Sequence, residues 1–396
     1  MYAGPMTSTQ GAVSAEDFEL IRQQVRAFVR SEVVPREQEI ADGDAIPDDI
    51  RRKAAAMGLF GYAIPAEHGG LGLDITQDVQ LALEFGYTSL SFRSMFGTNN
   101  GIAGQVLVGF GTDEQKARWL EPIASGEVVA SFALTEPEAG SDPSGLTTKA
   151  ERDGDDWVIT GNKRFITNAT DAQLFVVFAR TRAADDHGTG IAVFLVPAGS
   201  AGLSVGPKDK KMGQEGGSTA EVVFDRVRVG HEALVSGDVD TGFRAAMSVL
   251  ARGRVHIAAL SIGQAERALE ESVAFAATNR QGGRPIGDHQ LVQAMLAEQK
   301  TLCLAGRALV IQTAADYLSG DDRRLGPSAA KLFCTESAGR VADLAVQVHG
   351  GSGYMRGVTV ERIYRDVRLL RLYEGTSEIQ KLIIGRQLLR DVGTRS

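Results

Sequence analysis

The run WVITGNKRFIT at residues 157–167 decides the architecture, because β-branched and aromatic residues fill it and turn-forming residues bound it. Four further runs share its character: VVASFAL (128–134), LFVVFAR (174–180), IAVFLV (191–196) and AEVVFDRVRV (220–229), each set off by Gly, Asp, Pro or Ser clusters. Together they predict a sheet or barrel of about 110 residues. Outward from it, both flanks read as helical. On the N-terminal side Phe18, Ile21, Val25 and Phe28 fall on one face behind a Ser14/Asp17 cap, up to Pro35. Asp48 to Met57 reads as a helix closed by Gly58, Val79 to Phe85 as an apolar one, and Thr112 to Gln115 as a capping box before a helix stopped by Pro122. After Gly242 the helical period returns over 243–280, 288–318, 328–348 and 377–390. Runs of one type argue against an alternating βαβ fold. The expected class is α+β: an N-terminal helical domain (1–126), a central β-barrel or sheet domain (127–238) and a C-terminal four-helix bundle (239–396).

The 396 residues carry a formal net charge of -8, with no basic run interleaved with aromatics, so nucleic acid is not expected as a partner. No stretch approaches the roughly 18 uninterrupted apolar residues of a membrane span. Cys303 and Cys334 are the only cysteines and lack a C-x-x-C spacing, which fits a reducing, cytoplasmic setting and no metal site. The start MYAGPMTSTQ has no basic region followed by an apolar one, so no secretory signal is expected there, only a frayed end. The glycines of HGGSGY (349–354) follow a helical stretch rather than a strand, which disfavours a dinucleotide fold, and P-loop, H-E-x-x-H and G-x-S-x-G patterns are missing.

Three segments exceed what packing needs: ALTEPEAGSDPSG (133–145), QVHGGSGYMRGVTVERIYRD (347–366) and LYEGTSEIQ (372–380). In the first, Thr135, Gly140 and Ser141 offer hydroxyls and uncrowded backbone N–H groups on a turn, which suits a planar ring edge or a pyrophosphate. In KRFITNA (163–169), strand alternation puts Phe165 and Thr167 on one face, an aromatic plate two residues from a hydroxyl. In the third, Glu374 precedes a helix starting near Ser377, so its carboxylate belongs to a turn that can face a cavity, with Thr376 at the helix N-terminus suited to a phosphate. Core packing, a tight turn and a dipole-complementing surface Glu are the bland alternatives for these positions.

These segments resemble the acyl-CoA dehydrogenase family over nearly the whole chain. The resemblance implies that family's three-domain fold, FAD as cofactor, an acyl-CoA substrate in fatty-acid β-oxidation, an electron-transfer flavoprotein as electron acceptor, and a homo-oligomer, a tetramer in the family. It implies Glu374 as the catalytic base, with the Glu374 N–H polarising the thioester carbonyl, Gly375 on the substrate side and Arg254 as an ordering charge. Some branches carry the base on the helix that here holds Ala251-Arg252-Gly253-Arg254, and the corresponding residue is Gly253. Thr135, Phe165 and Thr167 would contact the flavin, Ser141 the pyrophosphate or the CoA, and Thr376 and Glu378 the cofactor side. Gln347, Gly350 and Gly351 would meet the adenine half of FAD from a neighbouring subunit. The family's adenine-side Arg aligns with Asn279, one place before Arg280, and its aromatic with Gly282.

Arg93, in SLSFRSMFGTNNG, aligns with the acyl end of the pocket, where an unpaired charge is costly. A glutaryl-CoA-like enzyme would use it to hold a distal carboxylate; otherwise it turns to solvent or pairs with an acid such as Glu84. A flavin acyl-CoA oxidase and a silent acyl-CoA-binding subunit are the other readings.

Overall fold

The computed structural model describes residues 13–182 and 190–393, so the MYAGPMTSTQ start lies outside the described residues. Seven helices come first: α1 (Ala15–Phe28), α2 (Glu37–Gly43), α3 (Asp48–Ala56), α4 (Ile75–Phe85), α5 (Leu90–Asn100), α6 (Ile102–Phe110) and α7 (Asp113–Ser125). Seven strands follow: β1 (Ala130–Ala133), β2 (Lys149–Asp153), β3 (Asp156–Thr167), β4 (Leu174–Arg180), β5 (Ile191–Pro197), β6 (Leu203–Val205) and β7 (Thr219–Val229). Then come α8 (Thr241–Thr278), the hairpin β8 (Arg280–Gln281) and β9 (Arg284–Pro285), α9 (Gln290–Ser319), α10 (Leu325–His349), α11 (Thr359–Leu370) and α12 (Ser377–Gly393). The order is helices, sheet, helices, as the periodicity predicts.

Two expected helix ends are displaced. Past Pro35 the chain stays helical, through a π turn (Val29–Val33) and a 3₁₀ turn (Val34–Arg36) into α2. Pro35 sits at the start of the 3₁₀ turn, where its missing N–H costs nothing. Pro122 likewise lies inside α7, which runs on to Ser125 because Leu120, Ile123 and Ala124 bury one face, and ends at Gly126 with φ 82°. The Ser14, Thr112 and Gly58 signals hold: Ser14 accepts from the Asp17 N–H, Thr112 and Gln115 close a capping box, and Gly58 adopts φ 73°.

The sheet is seven-stranded, in the order β1-β4-β2-β3-β7-β6 with β5 on the other side of β4. β1 and β2 run parallel to β4, and the other pairings are antiparallel. β4 and β5 are buried along their apolar runs, which explains their continuous hydrophobicity. β3 carries a register shift against β7 between Lys163 and Ile166.

In the C-terminal part α8 packs on α9 and α10, and α10 also holds α11 and α12. The 38-residue α8 is long and apolar enough to cross a bilayer, but 72% of its apolar window is buried inside the protein. Two asparagines stitch the helical and sheet parts together. Asn168, just past β3, donates to Ser94 O (2.8 Å) and Thr98 Oγ1 (3.0 Å) on α5. Asn99 on α5 accepts from the Ala130 N–H (2.9 Å) and donates to Ile123 O and Val128 O. Both side chains are buried, so each stitch replaces water that cannot reach it.

Candidate active site

Glu374 stands in the turn between α11 and α12 with φ 56°, followed by Gly375 at φ 91°. A left-handed, non-glycine residue costs roughly 1 kcal/mol or more, so the surrounding structure must hold it. It does: Lys331 Nζ donates to Gly375 O at 2.7 Å, and Gln380 Nε2 donates to Gly375 O at 2.9 Å and to Glu374 O at 3.3 Å. Arg254 Nε reaches Glu374 O at 3.4 Å. With the backbone anchored, the side chain turns inward over α8. Its Oε2 is buried without a hydrogen-bond partner, and a methyl built on Gly253 would come within 2.2 Å of it. The vacancy at Gly253 is the space the carboxylate needs.

Burial raises the Glu374 pKa, opposed in order by Arg93, Lys331 and Arg254, and burial wins. None of the three forms an ion pair with it, and among the described residues the Glu374 N–H makes no hydrogen bond. The turn thus carries a carboxylate oxygen and an N–H that both lack a hydrogen-bond partner among the described residues. Thr376 caps α12, its Oγ1 accepting from the Ile379 N–H at 3.3 Å, and Glu378 beside it is exposed.

Arg93 lies on α5, half-buried, with Nε donating to His256 Nε2 at 2.8 Å. The expected alternative partner, Glu84, is instead taken by Arg22, Arg26 and Arg30. His256 in turn meets Asp78 Oδ1 at 2.8 Å, and Asp78 pairs with Arg252 at 2.5 Å and receives the Tyr62 hydroxyl at 3.1 Å.

On the sheet side, Thr135, Ser141 and Thr167 keep side-chain hydroxyls with no partner among the described residues. The register shift in β3 leaves Phe165 at φ 59° and 63% exposed, with Ile166 buried and Thr167 half-buried, so the simple alternation expected of this strand is broken at Phe165. Arg164 lies over the Phe165 ring, 4.5 Å from its centroid. The loop bearing Thr135 is tied to β3 by the Arg164 N–H to Thr135 O bond (2.9 Å) and by a buried pair, Lys163 Nζ to Glu136 Oε1 at 2.7 Å. Glu136 also accepts from Thr147 N, Thr147 Oγ1 and Thr148 N. The exposed Phe165 ring, the unpartnered hydroxyls of Thr135, Ser141 and Thr167, and an open Gly140 whose added Cβ would meet nothing within 4 Å are features that a flavin with its phosphates would use. The stitch through Asn168 seats this edge against α5, the helix of Arg93.

The remaining expected residues gather elsewhere. Gln347, Gly350 and Gly351 close α10, about 24 Å along the helix from Lys331 at 1.5 Å per residue. Arg280 is exposed in the hairpin after α8, bonded to Gly283 O at 2.7 Å, near the same end because Phe275 stacks on His349 at 4.2 Å. Cβ atoms built on Gly350 and Gly351 would meet open space. Residues unforeseen from sequence are Lys331, Gln380, Glu136, Lys163, Asp78 and His256. A charged or amide residue within an apolar helical stretch, such as Lys331 in SAAKLF, was the available signal.

Profiles of three domains match in order: "Acyl-CoA dehydrogenase, N-terminal domain" over 15–127, the middle domain over 131–227 and the C-terminal domain over 240–389. A probable acyl-CoA dehydrogenase of Bacillus subtilis is 39% identical over 379 residues, 94% of this chain and 98% of that one. A subunit of the caffeyl-CoA reductase-Etf complex of Acetobacterium woodii is 36% identical over 378 residues, 95% and 99% of the two chains. Among solved structures, glutaryl-CoA dehydrogenase from Mycobacterium smegmatis superposes with TM-score 0.88 at 32% identity, covering 96% of each chain.

Proposed function

The chain belongs to the acyl-CoA dehydrogenase family, a family of FAD enzymes, and from that premise we propose that Glu374 is the base that removes the α-proton of an acyl-CoA thioester. Bound FAD supplies the acceptor for the β-hydrogen, which leaves as hydride. The observation that carries the assignment is the buried, unpartnered Glu374 Oε2 on a turn whose backbone is anchored by Lys331 and Gln380.

A thioester α-C–H is a weak acid, so the base must be strong and the enolate oxygen must be met by donors. Burial makes Glu374 the stronger base, and a desolvating substrate adds to that. The free Glu374 N–H is a donor for the thioester carbonyl. Arg254 braces the carbonyl side of the same residue. Thr135, Phe165 and Thr167 hold the flavin edge, and Ser141 the phosphate side. Gln347, Gly350, Gly351 and Arg280 reach the cofactor of a neighbouring subunit in a homo-oligomer, a reading supported by exposed Leu304, Ile311 and Leu318 spaced along α9. An electron-transfer flavoprotein takes the electrons onward, a role supported by the Etf-complex subunit among the relatives.

A second reading concerns the acyl group. Arg93 forms no ion pair among the described residues and lies near enough to Glu374 to act on its carboxyl, which favours a substrate whose distal end carries a carboxylate. Glu374→Gln tests the base. Folding and acyl-CoA binding should persist while anaerobic bleaching of the flavin slows by ~10²–10⁴, the usual worth of a positioned general base. Bleaching at near-parental rate would remove Glu374 from the chemistry.

A further inference from the structure

Asp78, His256 and Arg93 come from α4, α8 and α5 and meet in one hydrogen-bonded line, Asp78 and His256 buried and Arg93 half-buried at its end. The line has a fixed proton order. Arginine can only donate, so His256 Nε2, which receives Arg93 Nε–H at 2.8 Å, holds no proton. The single imidazole proton is therefore on Nδ1 and is donated to Asp78 Oδ1 at 2.8 Å. Asp78 is kept ionised against its own burial by Arg252 and His256, and the Tyr62 hydroxyl donates to the same oxygen. Burial depresses the His256 pKa, outweighing the attraction of Asp78, with Arg93 and Arg252 adding to the depression. A protonated His256 would turn an N–H toward the Arg93 N–H and release it.

A structural arginine ends on an acid or on carbonyls. Arg93 does neither: its one hydrogen bond among the described residues uses Nε, which leaves both terminal amino groups without a partner. Its reach is also limited, since the guanidinium lies over Gly97, where an added Cβ would stand 2.8 Å from Cζ. After burial, which raises the Glu374 pKa, Arg93 exerts the largest effect on that carboxyl, ahead of Lys331 on α10 and Arg254 on α8.

We propose that Asp78 and His256 are positioning residues that present Arg93 to the acyl cavity as a fixed cation beside Glu374, with His256 the link that sets where the guanidinium stands. The proposal rests on Glu374 being the base. Through it a histidine that touches no substrate sets both the strength of the base and the place where an acceptor on the acyl group would dock.

The test is the pH dependence of kcat/KM with one neutral acyl-CoA, whose acidic limb reports Glu374 in the free enzyme. Removing a nearby cation raises a carboxyl by about a unit. His256→Leu should move the limb upward by about half a unit to one unit. His256→Asn, which still donates to Asp78 but is too short for Arg93, guards against misfolding of the leucine variant and should do the same. Arg93→Met should match them, and the His256→Asn/Arg93→Met pair should add nothing further. His256→Gln, whose amide can accept from Arg93 and donate to Asp78, should restore the parental profile. A limb that stays within about 0.2 units in the His256 variants, shifts that add in the double variant, or a His256→Gln shift as large as that of His256→Asn would each overturn the link. Failure of the underlying reading is separate: there Glu374→Gln itself would retain flavin reduction.

Discussion

Gly253→Ala should make the protein more stable and the enzyme much slower. Gly253 is in the interior of α8 with ordinary helical backbone, so alanine there restricts the unfolded chain and improves helix propensity by roughly 0.5–1 kcal/mol. The new methyl would lie 2.2 Å from Glu374 Oε2 and 3.1 Å from its Cδ, whereas a carbon–oxygen contact settles near ~3.3 Å. The carboxylate must retreat by about 1 Å. It moves alone, because Lys331 and Gln380 hold the turn's carbonyls, so the fold loses little while the base leaves its place. A displacement of that size costs about 10²-fold in rate. The assay is paired: thermal melting for stability, and single-turnover anaerobic bleaching by acyl-CoA for the chemical step. Gly109→Ala on α6, where a methyl meets nothing within 4 Å, is the control and should gain stability without losing rate. Bleaching of Gly253→Ala within about threefold of the parent would refute the argument, since a base that tolerates ~1 Å of displacement is not a positioned base.

Arg93→Met should lower kcat/KM for an ω-carboxyl acyl-CoA by about 10- to 200-fold, worth ~1.5–3 kcal/mol, and spare the neutral chain of equal length at saturating pH. Equal losses on both substrates, or none, would leave Arg93 without a role in choosing the acyl group. FAD should be noncovalent, so acid precipitation should release the yellow colour into the supernatant; colour retained in the pellet would contradict this. Burial pushes the Glu136 carboxyl up, but Lys163 and its N–H and hydroxyl donors bring it down to about 2, below its ordinary 4.5. Its contribution to stability is therefore complete above pH 4.5 and is lost as the pH falls toward 2. Glu136→Gln should flatten that part of the acid-unfolding curve, and an unchanged slope would show that the Lys163 pair does not couple to folding.

Periodicity carried the layer order because β4 and β5 are solidly apolar and the C-terminal helices are long. It missed α5, where nine of eleven residues are buried and no polar face marks a period, and α6, a nine-residue run whose one polar side chain is Gln105. It also missed β2 and β6, one mostly exposed and the other three residues long. Glu374 was legible through the motif around it. The residues that fix its turn and its side chain were not: Lys331 lies 43 positions upstream, and Gly253 matters only because Oε2 occupies its missing side chain. Arg93 was legible as an anomaly, a charge in an apolar segment. That histidine rather than Glu84 holds it depends on the approach of three helices that no local pattern encodes.

The paired stitches of Asn99 and Asn168 have a mechanical meaning. Each spans the seam between α5 and the sheet, and they cross it in opposite directions, one from either bank. The strand end that offers Thr167 and the helix that offers Arg93 are thereby a single rigid body. The spacing between those two side chains is therefore set by the fold itself and is not adjusted by α5 sliding against the sheet.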